Sequence, residues 1–508
     1  MYTISGKLKT VAFALMIIGA IGVVVGFISS HKSLDEVKEM IAAHDGHGDE
    51  GAYETTEHVV KGGNEHSDNA HDPNAIGALE DPDEQVQETE SHLVAGDTDH
   101  SDNAHEEGTV GALEDVDDHH TEAGSHDTPG VGMGEAHHGD AHAEHVQHQL
   151  ANRPWAALYV AAFFFFMIAL GVLAFYAVQY AAQAGWSPLL LRVMEGITAY
   201  MLPGALIVLG IALASGIIGH YNLFIWMDPE VVAHDEIIQN KESWLNLTWF
   251  AIRGLIFVGG WYLYRRFSRK YSIAQDDADD NKNFVKNFRI SAGFLVFFLY
   301  TESMMSWDWI MSVDPHWFST LFGWYVLAGM MVSGITVIAM VTIYLKSLGL
   351  LPKVNDSHIH DLAKFMFGFS IFWTYLWFSQ FMLIWYSNIP EEVTYFVTRF
   401  EDYQLPFLGM VVMNFIFPLL ILMNSDYKRI PWFVIMAGIV ILCGHYVDVF
   451  NMIMPATVGD QWYIGIPEIS SLLFFGGLFI FIVFTALTKA PLEPKRNPFI
   501  KESEHFHY

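Results

Sequence analysis

The stretch VAFALMIIGAIGVVVGFISS, residues 11–30, is twenty consecutive uncharged residues, most of them apolar. At 1.5 Å per residue, a helix of this length is about 30 Å long, which matches the hydrocarbon core of a bilayer. Lys7 and Lys9 precede the stretch, yet it is longer than the apolar part of a signal peptide and no small-residue cleavage motif follows. We therefore predict that residues 1–30 form a retained transmembrane anchor.

Similar runs recur along the 508-residue chain, of which 52% is hydrophobic. The predicted spans lie at residues 10–29, 155–183, 193–216, 244–264, 288–312, 319–345, 362–386, 404–424, 431–454 and 466–488. The predicted fold class is an all-α polytopic membrane protein with about ten transmembrane helices. Its helical membrane domain covers residues 151–488, and a tail follows over residues 489–508.

Lysine and arginine are unevenly distributed among the connections between these runs. If both ends of the chain lie on one side, that side carries 18 of these residues and the other side carries 6. Cytoplasmic loops of membrane proteins are enriched in both residue types. The asymmetry predicts a multi-pass protein of a bacterial inner (cytoplasmic) membrane, with both termini in the cytoplasm.

Acidic residues are concentrated in residues 31–150. This segment holds 31 Asp or Glu and 3 Lys, so it contributes −28 to the formal net charge of −31. The motif HSDNAH occurs at residues 66–71 and 100–105, within a tandem repeat that has a period of 34 residues. Because the segment has few large apolar side chains, we predict a disordered periplasmic insertion.

Seventeen of the 25 histidines lie in the same acidic segment. The candidates for a metal site are His137, His138, His142 and His145. Of these, His138 and His142 have the i, i+4 spacing of two ligands on one helix face. Imidazole ligands would suit zinc, copper or nickel. The alternative is a solvated, pH-sensitive tail, and the composition does not decide between the two.

Ionisable residues also occur inside the apolar runs. A charge at the centre of a bilayer is costly, so such residues usually face the protein interior and mark a pathway for ions or protons. The candidates for a proton path are Glu302, Asp308, His445, Asp448, Arg253, Glu195, Asp361 and Lys364. The alternative is that they form buried ion pairs that only fix helix packing. We favour a packing pair for Asp361 and Lys364, and a functional role for Glu302, His445 and Asp448.

Spacing adds detail to these candidates. His445 and Asp448 are spaced i, i+3 and share a helix face, where a histidine beside a carboxylate could relay a proton. Glu302 lies about 20 Å along its helix from Arg289, and Arg253 has a similar depth when counted from the other side. We therefore predict a Glu302–Arg253 pair near the middle of the membrane.

The aromatic stretch around Trp307, Trp309 and His316 lies at the boundary of the fifth run. Such residues either anchor a helix at the membrane interface or line a pocket for a quinone headgroup, and we take them as quinone-contact candidates. The chain has one cysteine, and only His445 lies deep within a span. A haem or an iron–sulfur cluster held by this chain alone is therefore not expected.

Several segments together carry a family resemblance. They are NRPWAALYVAAFFFF (152–166), MLPGALIVLGIALASG (201–216), YTESMMSWDWIMSVDPHWFSTLFGWY (300–325), FWTYLWFSQFMLIWYSNIPEE (372–392) and HYVDVFNMIMP (445–455). From about residue 152 onward the chain resembles the NrfD/polysulfide-reductase membrane-subunit family. Within that family it is most similar to the membrane subunits of bacterial alternative complex III, a quinol:cytochrome c oxidoreductase of the respiratory chain.

The resemblance implies two four-helix bundles, formed by spans 2–5 and 6–9, with two peripheral helices. It implies a non-haem subunit that is not catalytic alone and that supplies a proton path, a scaffold and a quinone or menaquinone contact. The implied partners are an iron–sulfur subunit, multihaem cytochrome c subunits that carry the haem c, a second NrfD-like subunit, a terminal oxidase and the lipid bilayer, with no nucleic acid. The alternatives are a proton- or metal-coupled secondary transporter and a purely structural subunit.

Overall fold

A computed structural model describes residues 2–45, 133–218 and 223–507 of the chain. These residues form helices and contain no strand, which agrees with the predicted all-α class. The α-helices, numbered in chain order, are α1 (Gly6–Ser30), α2 (Leu34–Asp45), α3 (Met133–Ala181), α4 (Leu191–Ile197), α5 (Met201–Ile217), α6 (Pro229–His234), α7 (Glu236–Asn240), α8 (Leu247–Gln275), α9 (Lys282–Trp309), α10 (Phe322–Ser347), α11 (Asp356–Ser387), α12 (Pro390–Glu401), α13 (Gln404–Val411), α14 (Phe417–Leu422), α15 (Pro431–Val458), α16 (Ile466–Leu487) and α17 (Ile500–Glu504).

Eight helical segments of the described chain are long and apolar enough to cross a membrane. They are Gly6–Ser30, His142–Ala181, Pro188–Ile217, Phe322–Ser347, Asp356–Ser387, Gln404–Leu422, Pro431–Val458 and Ile466–Leu487. The third is interrupted by a 3₁₀ turn at Thr198–Tyr200, and the sixth by a π-helical turn at Val412–Ile416. The architecture is that of an α-helical polytopic membrane protein.

The predicted runs at 244–264 and 288–312 correspond to α8 and α9, which are 29 and 28 residues long. Both helices are long enough to cross a bilayer. Their charged residues make them less apolar, since α8 contains Arg253 and the sequence RRFSRK, and α9 contains Glu302 and Asp308. They are therefore not among the eight candidate spans of the described chain.

The connections between the long helices gather at two ends of the protein. At the first, which we call the tail end, the C-terminal tail contacts two connections. The backbone N–H of Lys495 donates to Asp276 at 2.9 Å, and Lys353 Nζ lies 2.7 Å from Glu504 Oε1. The connection between α8 and α9 therefore lies at the same end as the connection between α10 and α11.

At the opposite end, which we call the loop end, longer connections carry the short helices α6, α7 and α12. Lys241 Nζ donates to the carbonyl of Pro315 at 2.5 Å, and Tyr403 Oη donates to the carbonyl of Gly459 at 2.5 Å. Lys241 precedes α8, and Pro315 follows α9. Both helices thus run between the same two ends as their neighbours.

Side chains cap the starts of two of these helices. The side chain of Asn246 accepts a hydrogen bond from the N–H of Trp249 at the start of α8, and Asn355 accepts two such bonds at the start of α11. Each cap satisfies N–H groups that the helix itself leaves without a partner. The other end of α11 is set by Asn388, whose φ of 49° is left-handed.

The N-terminal helix α1 packs lengthwise against α16. The contact requires a glycine at residue 19, because a Cβ there would lie 2.4 Å from the backbone nitrogen of Phe474. Other side chains of α1, including Ile17, Ile21 and Ile28, are exposed. A helix with one packed side and exposed apolar side chains suits the periphery of a membrane bundle.

One part of the acidic segment differs from the predicted disorder. The helix α2 lies within residues 31–150, and the side chain of Val37 packs against Val146 and Leu150 of α3. The apolar residues of α2 recur at helical spacing, a local pattern that the composition of the whole segment conceals. The tandem repeat and the rest of the predicted insertion between residues 46 and 132 lie outside the described residues.

Candidate functional site

The deepest carboxylate cluster lies on α15. His445 Nδ1 is 3.3 Å from Asp448 Oδ2, and both side chains are buried. Two neighbouring helices donate to the same carboxylate, through Tyr325 Oη of α10 and Trp373 Nε1 of α11, the latter at 2.9 Å. The predicted i, i+3 pair therefore exists, and two further groups hydrogen-bond to the Asp448 carboxylate.

Side-chain packing fixes the orientation of the histidine. The rings of Trp373 and His445 meet edge to face, with 5.4 Å between their centroids. His445 Nδ1 faces Asp448, and His445 Nε2 is buried without a hydrogen-bond partner among the described residues. One nitrogen of this buried imidazole therefore lies against a carboxylate, and the other faces no hydrogen-bonding group of the described residues.

Further buried polar atoms without a partner among the described residues lie on the helices around this cluster. They include Ser370 Oγ and Gln380 Nε2 on α11, both polar atoms of the Asn414 side chain, and Asn451 Oδ1 on α15. Asn414 belongs to the π-helical turn and contacts Gly444, where a Cβ would lie 2.1 Å from its Oδ1.

Asp308 forms an ion pair with Arg253. Arg253 Nε lies 2.6 Å from Asp308 Oδ2, and Arg253 Nη2 donates to Oδ1 at 3.1 Å. Trp244 Nε1 donates to the same carboxylate at 2.9 Å, and the guanidinium lies 4.1 Å from the centroid of the Trp244 ring. The buried Asp308 carboxylate therefore accepts three hydrogen bonds, two from the Arg253 guanidinium and one from Trp244.

The predicted pair between Glu302 and Arg253 is wrong. Glu302 and Asp308 are six positions apart on α9, which separates their Cα atoms by about 9 Å along the axis and places the two carboxylates on different faces. The single guanidinium of Arg253 therefore reaches only Asp308, which lies nearer the loop end. Similar depth in the membrane, on which the prediction rested, does not determine which side chains of two helices face each other.

Glu302 is buried and has hydroxyl partners only. Ser306 Oγ donates to its Oε1 at 3.1 Å, and Ser303 Oγ donates to Oε2 at 3.5 Å. In the described part of the chain, no lysine, arginine or histidine lies within ion-pair distance of this carboxyl group. A buried carboxyl group without a cation is costly in its charged form, so Glu302 fits a group that carries a proton.

Glu195 lies in a polar cluster at the tail end. Arg192 Nη1 is 3.0 Å and Arg269 Nη1 is 3.7 Å from its Oε2, while Tyr176 Oη donates to Oε1 at 3.2 Å. Arg192 also pairs with Asp276 at 2.7 Å. The cluster joins α4 and α8 to the connection that follows α8, and its carboxylates are fully paired.

Asp361 and Lys364 form a local pair on one turn of α11. Lys364 Nζ lies 2.9 Å from Asp361 Oδ1, and a third of the lysine side chain is exposed. His360 Nε2 lies 3.2 Å from Ser425 Oγ close by. The favoured alternative for these two residues, a packing pair, agrees with this geometry.

A pocket of about 390 Å³ opens at the loop end beside the Arg253–Asp308 pair. Its lining includes Lys241, Trp307 and Trp317. Of the quinone-contact candidates, only Trp307 lines the pocket. Trp309 points into the core, where its carbonyl accepts a hydrogen bond from Tyr159 at 2.7 Å.

His316 lies near the pocket and pairs with an acidic residue of the preceding connection. Its Nε2 is 2.5 Å from Asp235 Oδ2, and the two side chains are 43% and 21% exposed. Hydrogen bonds from the backbone N–H of Ile238 and from His316 lower the pKa of Asp235. The pair joins the connection before α7 to the connection after α9.

The candidate metal ligands are only partly described. The side chains of His137 and His138 lie outside the described residues. His142 is exposed, and His145 Nε2 lies 3.0 Å from Gln149 Nε2. Within the described ranges, no group of three or more His, Cys, Asp or Glu could hold a metal ion. The metal site therefore stays a prediction.

Comparison of the sequence with protein-family profiles gives no match, and comparison with curated proteins gives none either.

Sequence reasoning missed two further buried cations at the loop end. Arg153 binds Glu468 through two hydrogen bonds of 2.8 and 2.9 Å, and Arg399 donates to the carbonyls of Asn451 and Tyr395. Both lie at the ends of apolar runs, where sequence alone cannot distinguish a buried arginine from an exposed interfacial one. Each of the two arginines contacts a residue on a distant segment of the chain, and the local sequence does not reveal that contact.

Proposed function

We propose that this chain is a membrane subunit of a respiratory quinol:electron-acceptor oxidoreductase of the alternative complex III type. In this proposal α8 and α9 also cross the bilayer, which makes ten spans with both termini in the cytoplasm of a bacterial inner membrane. The chain contributes a proton path and a scaffold, and it contacts quinone. Electron transfer itself belongs to haem c and iron–sulfur clusters of partner subunits.

The observation that carries the proposal is the buried His445–Asp448 pair, with Tyr325 and Trp373 on the same carboxylate. Ionisable groups inside spanning helices are costly and usually functional. A buried imidazole beside a carboxylate can relay a proton, so this pair supports a role in proton movement.

The pocket at the loop end supports the quinone contact. Aromatic walls with a few polar groups are typical of pockets that bind planar ligands. Trp307 and Trp317 supply the walls, and Lys241 and Asp308 supply the polar groups. In the proposal, a quinone headgroup enters this pocket from the membrane beside the Arg253–Asp308 pair.

The family resemblance supports the partners and the bundle arrangement. We propose bundles formed by α3–α5 with α8 and α9, and by α10 and α11 with α13–α15, while α1 and α16 are peripheral. Direct contacts among α10, α11, α14 and α15 agree with the second of these. An iron–sulfur subunit, multihaem cytochromes and a second NrfD-like subunit would complete the complex.

Purification of the chain from its native membrane tests the proposal. We expect c-type haem absorbance and an iron–sulfur protein in the purified material, with quinol-dependent reduction of the haems. A colourless chain purified alone under conditions that preserve other respiratory complexes would contradict the proposal. The same preparation provides the material for the variants described below.

A proton-coupled secondary transporter is the second candidate. Two spans are interrupted, one by the 3₁₀ turn at Thr198–Tyr200 and one by the π-helical turn at Val412–Ile416. Interrupted helices at membrane depth are frequent at the substrate sites of transporters. A chain that purifies without electron carriers and that acidifies or alkalinises the interior of vesicles on addition of a substrate would favour this candidate.

A further inference from the structure

An apolar groove runs between α8 and α9 on their outer surface, in the half nearer the tail end. Its volume is about 420 Å³, and its walls include Tyr264, Phe267 and Tyr271 of α8 and Phe294 and Phe297 of α9. Two side chains of the lining are exposed, Phe267 at 44% and Leu263 at 51%, whereas Tyr264 and Phe294 are buried. The groove belongs to neither the buried His445 cluster nor the pocket at the loop end.

Aromatic rings form the floor of the groove. Tyr264 and Phe294 are stacked, with 3.9 Å between their centroids and 8° between their planes. At the far end, the ring of Phe297 occupies the space beside Gly260, because a Cβ there would lie 2.3 Å from this ring. The twelve residues from Gly260 to Tyr271 extend for about 16 Å, roughly the thickness of one leaflet of a bilayer core.

Basic side chains surround the mouth of the groove at the tail end. Lys286 Nζ lies 5.7 Å from the centroid of the Tyr271 ring and is one helical turn from Ile290, which lines the groove. Lys270 follows Leu263, another lining residue, by two turns of α8. Both lysines are exposed, and within the described chain no carboxylate lies within ion-pair distance of either.

Three of the four aspartates in the connection between α8 and α9 pair with other cations, Asp279 among them with Arg496, while Asp277 is exposed. Asp276 pairs with Arg192, and Asp280 pairs with Lys282 at 2.8 Å. The mouth therefore combines two exposed ammonium groups with an apolar groove of one-leaflet length. Phosphate groups of anionic lipids bind to such basic sites at the cytoplasmic face of membrane helices.

We infer that this groove binds an anionic phospholipid. One acyl chain lies along the aromatic floor, and the phosphate lies between Lys270 and Lys286 at the tail end. The inference rests on α8 and α9 lying in the bilayer, as proposed above, but not on any role in quinol oxidation. A lipid fits better than a partner helix, because the groove is about one leaflet long and the two lysines lie at one end of it.

Native mass spectrometry of the purified protein tests the inference. The protein, depleted of lipid in detergent, is mixed with phosphatidylglycerol or phosphatidylcholine of the same chain length. We expect the protein to retain phosphatidylglycerol preferentially. The double variant Lys270→Gln/Lys286→Gln should lose roughly 30-fold of that preference, since each lysine near an anionic headgroup contributes about fivefold.

Lys282→Gln is the matched control, because Lys282 is highly exposed and already paired with Asp280. It should keep the preference for phosphatidylglycerol. Equal retention of both lipids by the wild type, or an undiminished preference in the double variant, would overturn the inference.

A photo-cross-linking side chain at Phe267 in native membranes distinguishes a lipid from a protein partner. Cross-links to phospholipid support the inference, whereas a cross-link to another subunit would overturn it. Because lipid retention is measured without quinol or electron carriers, its failure would leave the proposed function untouched.

Discussion

His445 Nδ1 and Asp448 Oδ2 lie 3.3 Å apart on one buried face of α15, and two other helices donate to the same carboxylate. If this pair conducts protons, Asp448→Asn removes the charge but keeps the size of the side chain. We expect proton release to slow by about 100-fold or more, the range for a positioned proton-transfer group, and reduction of the haems by quinol to slow with it, because the oxidation of quinol cannot outpace the loss of its protons. Haem absorbance and a pH dye report the two processes together.

The matched control for this experiment is Asp356→Asn. Asp356 pairs with Lys346 at the tail end, and its side chain is 68% exposed. The control should release protons at the wild-type rate. Unchanged proton release in the Asp448 variant would remove the His445–Asp448 pair from the proton path.

The Arg253–Asp308 pair makes a prediction about stability. Arg253→Ala leaves the Asp308 carboxylate buried with one remaining donor, Trp244. Removal of one member of a buried ion pair typically costs about 3–5 kcal/mol. The melting temperature of the purified protein should therefore fall clearly. Lys364→Ala removes one member of the partly exposed pair on α11 and should cost no more than about 1 kcal/mol.

A double substitution separates lost pairing from lost packing. Arg253→Met with Asp308→Asn removes both charges but keeps most of the volume, and it should be more stable than Arg253→Ala alone. If the double variant is the less stable of the two, the pair itself stabilises the fold and the desolvation argument fails.

Much of the fold follows from apolar runs, because a run of bilayer length forms a helix in any context that excludes water. The boundaries of α10, α11, α15 and α16 lie close to the predicted runs. The i, i+3 spacing of His445 and Asp448 likewise places two residues on one face by local geometry alone.

Pairing across helices could not be predicted in the same way. Arg253 pairs with Asp308 rather than with Glu302, because rotation about the axis of α9 decides which carboxylate faces α8. Tyr325 and Trp373 approach Asp448 from helices far apart in the sequence. Such contacts depend on helix rotation and register, which hydropathy does not encode.

The Asp235–His316 pair predicts a pH dependence at the loop end. The pKa of Asp235 is lower in the folded protein than the ordinary aspartate value of 3.8. The ionised Asp235 side chain therefore stabilises the fold fully at a pH above 3.8, and this stabilisation is lost as the pH falls through the pKa of the folded state. Hydrogen exchange of residues 225–246 should therefore accelerate at the acid end of the range. In Asp235→Asn this dependence should disappear, and an identical pH profile in the variant would contradict the assignment.

The packing of α1 on α16 gives the last prediction. A side chain at residue 19 would meet the backbone of Phe474, so Gly19→Leu should separate the two helices. Ala20→Leu introduces the same side chain at an exposed position and serves as the control. A cysteine pair at Phe13 and Phe481, whose rings lie 5.1 Å apart across the two helices, reports the contact by cross-linking with a short bifunctional thiol reagent. We expect the cross-link in the control and its loss in Gly19→Leu, because backbone at the contact cannot move aside as a flexible side chain can. A cross-link of equal yield in both variants would mean that α1 tolerates a shift along α16 and is not fixed by this glycine.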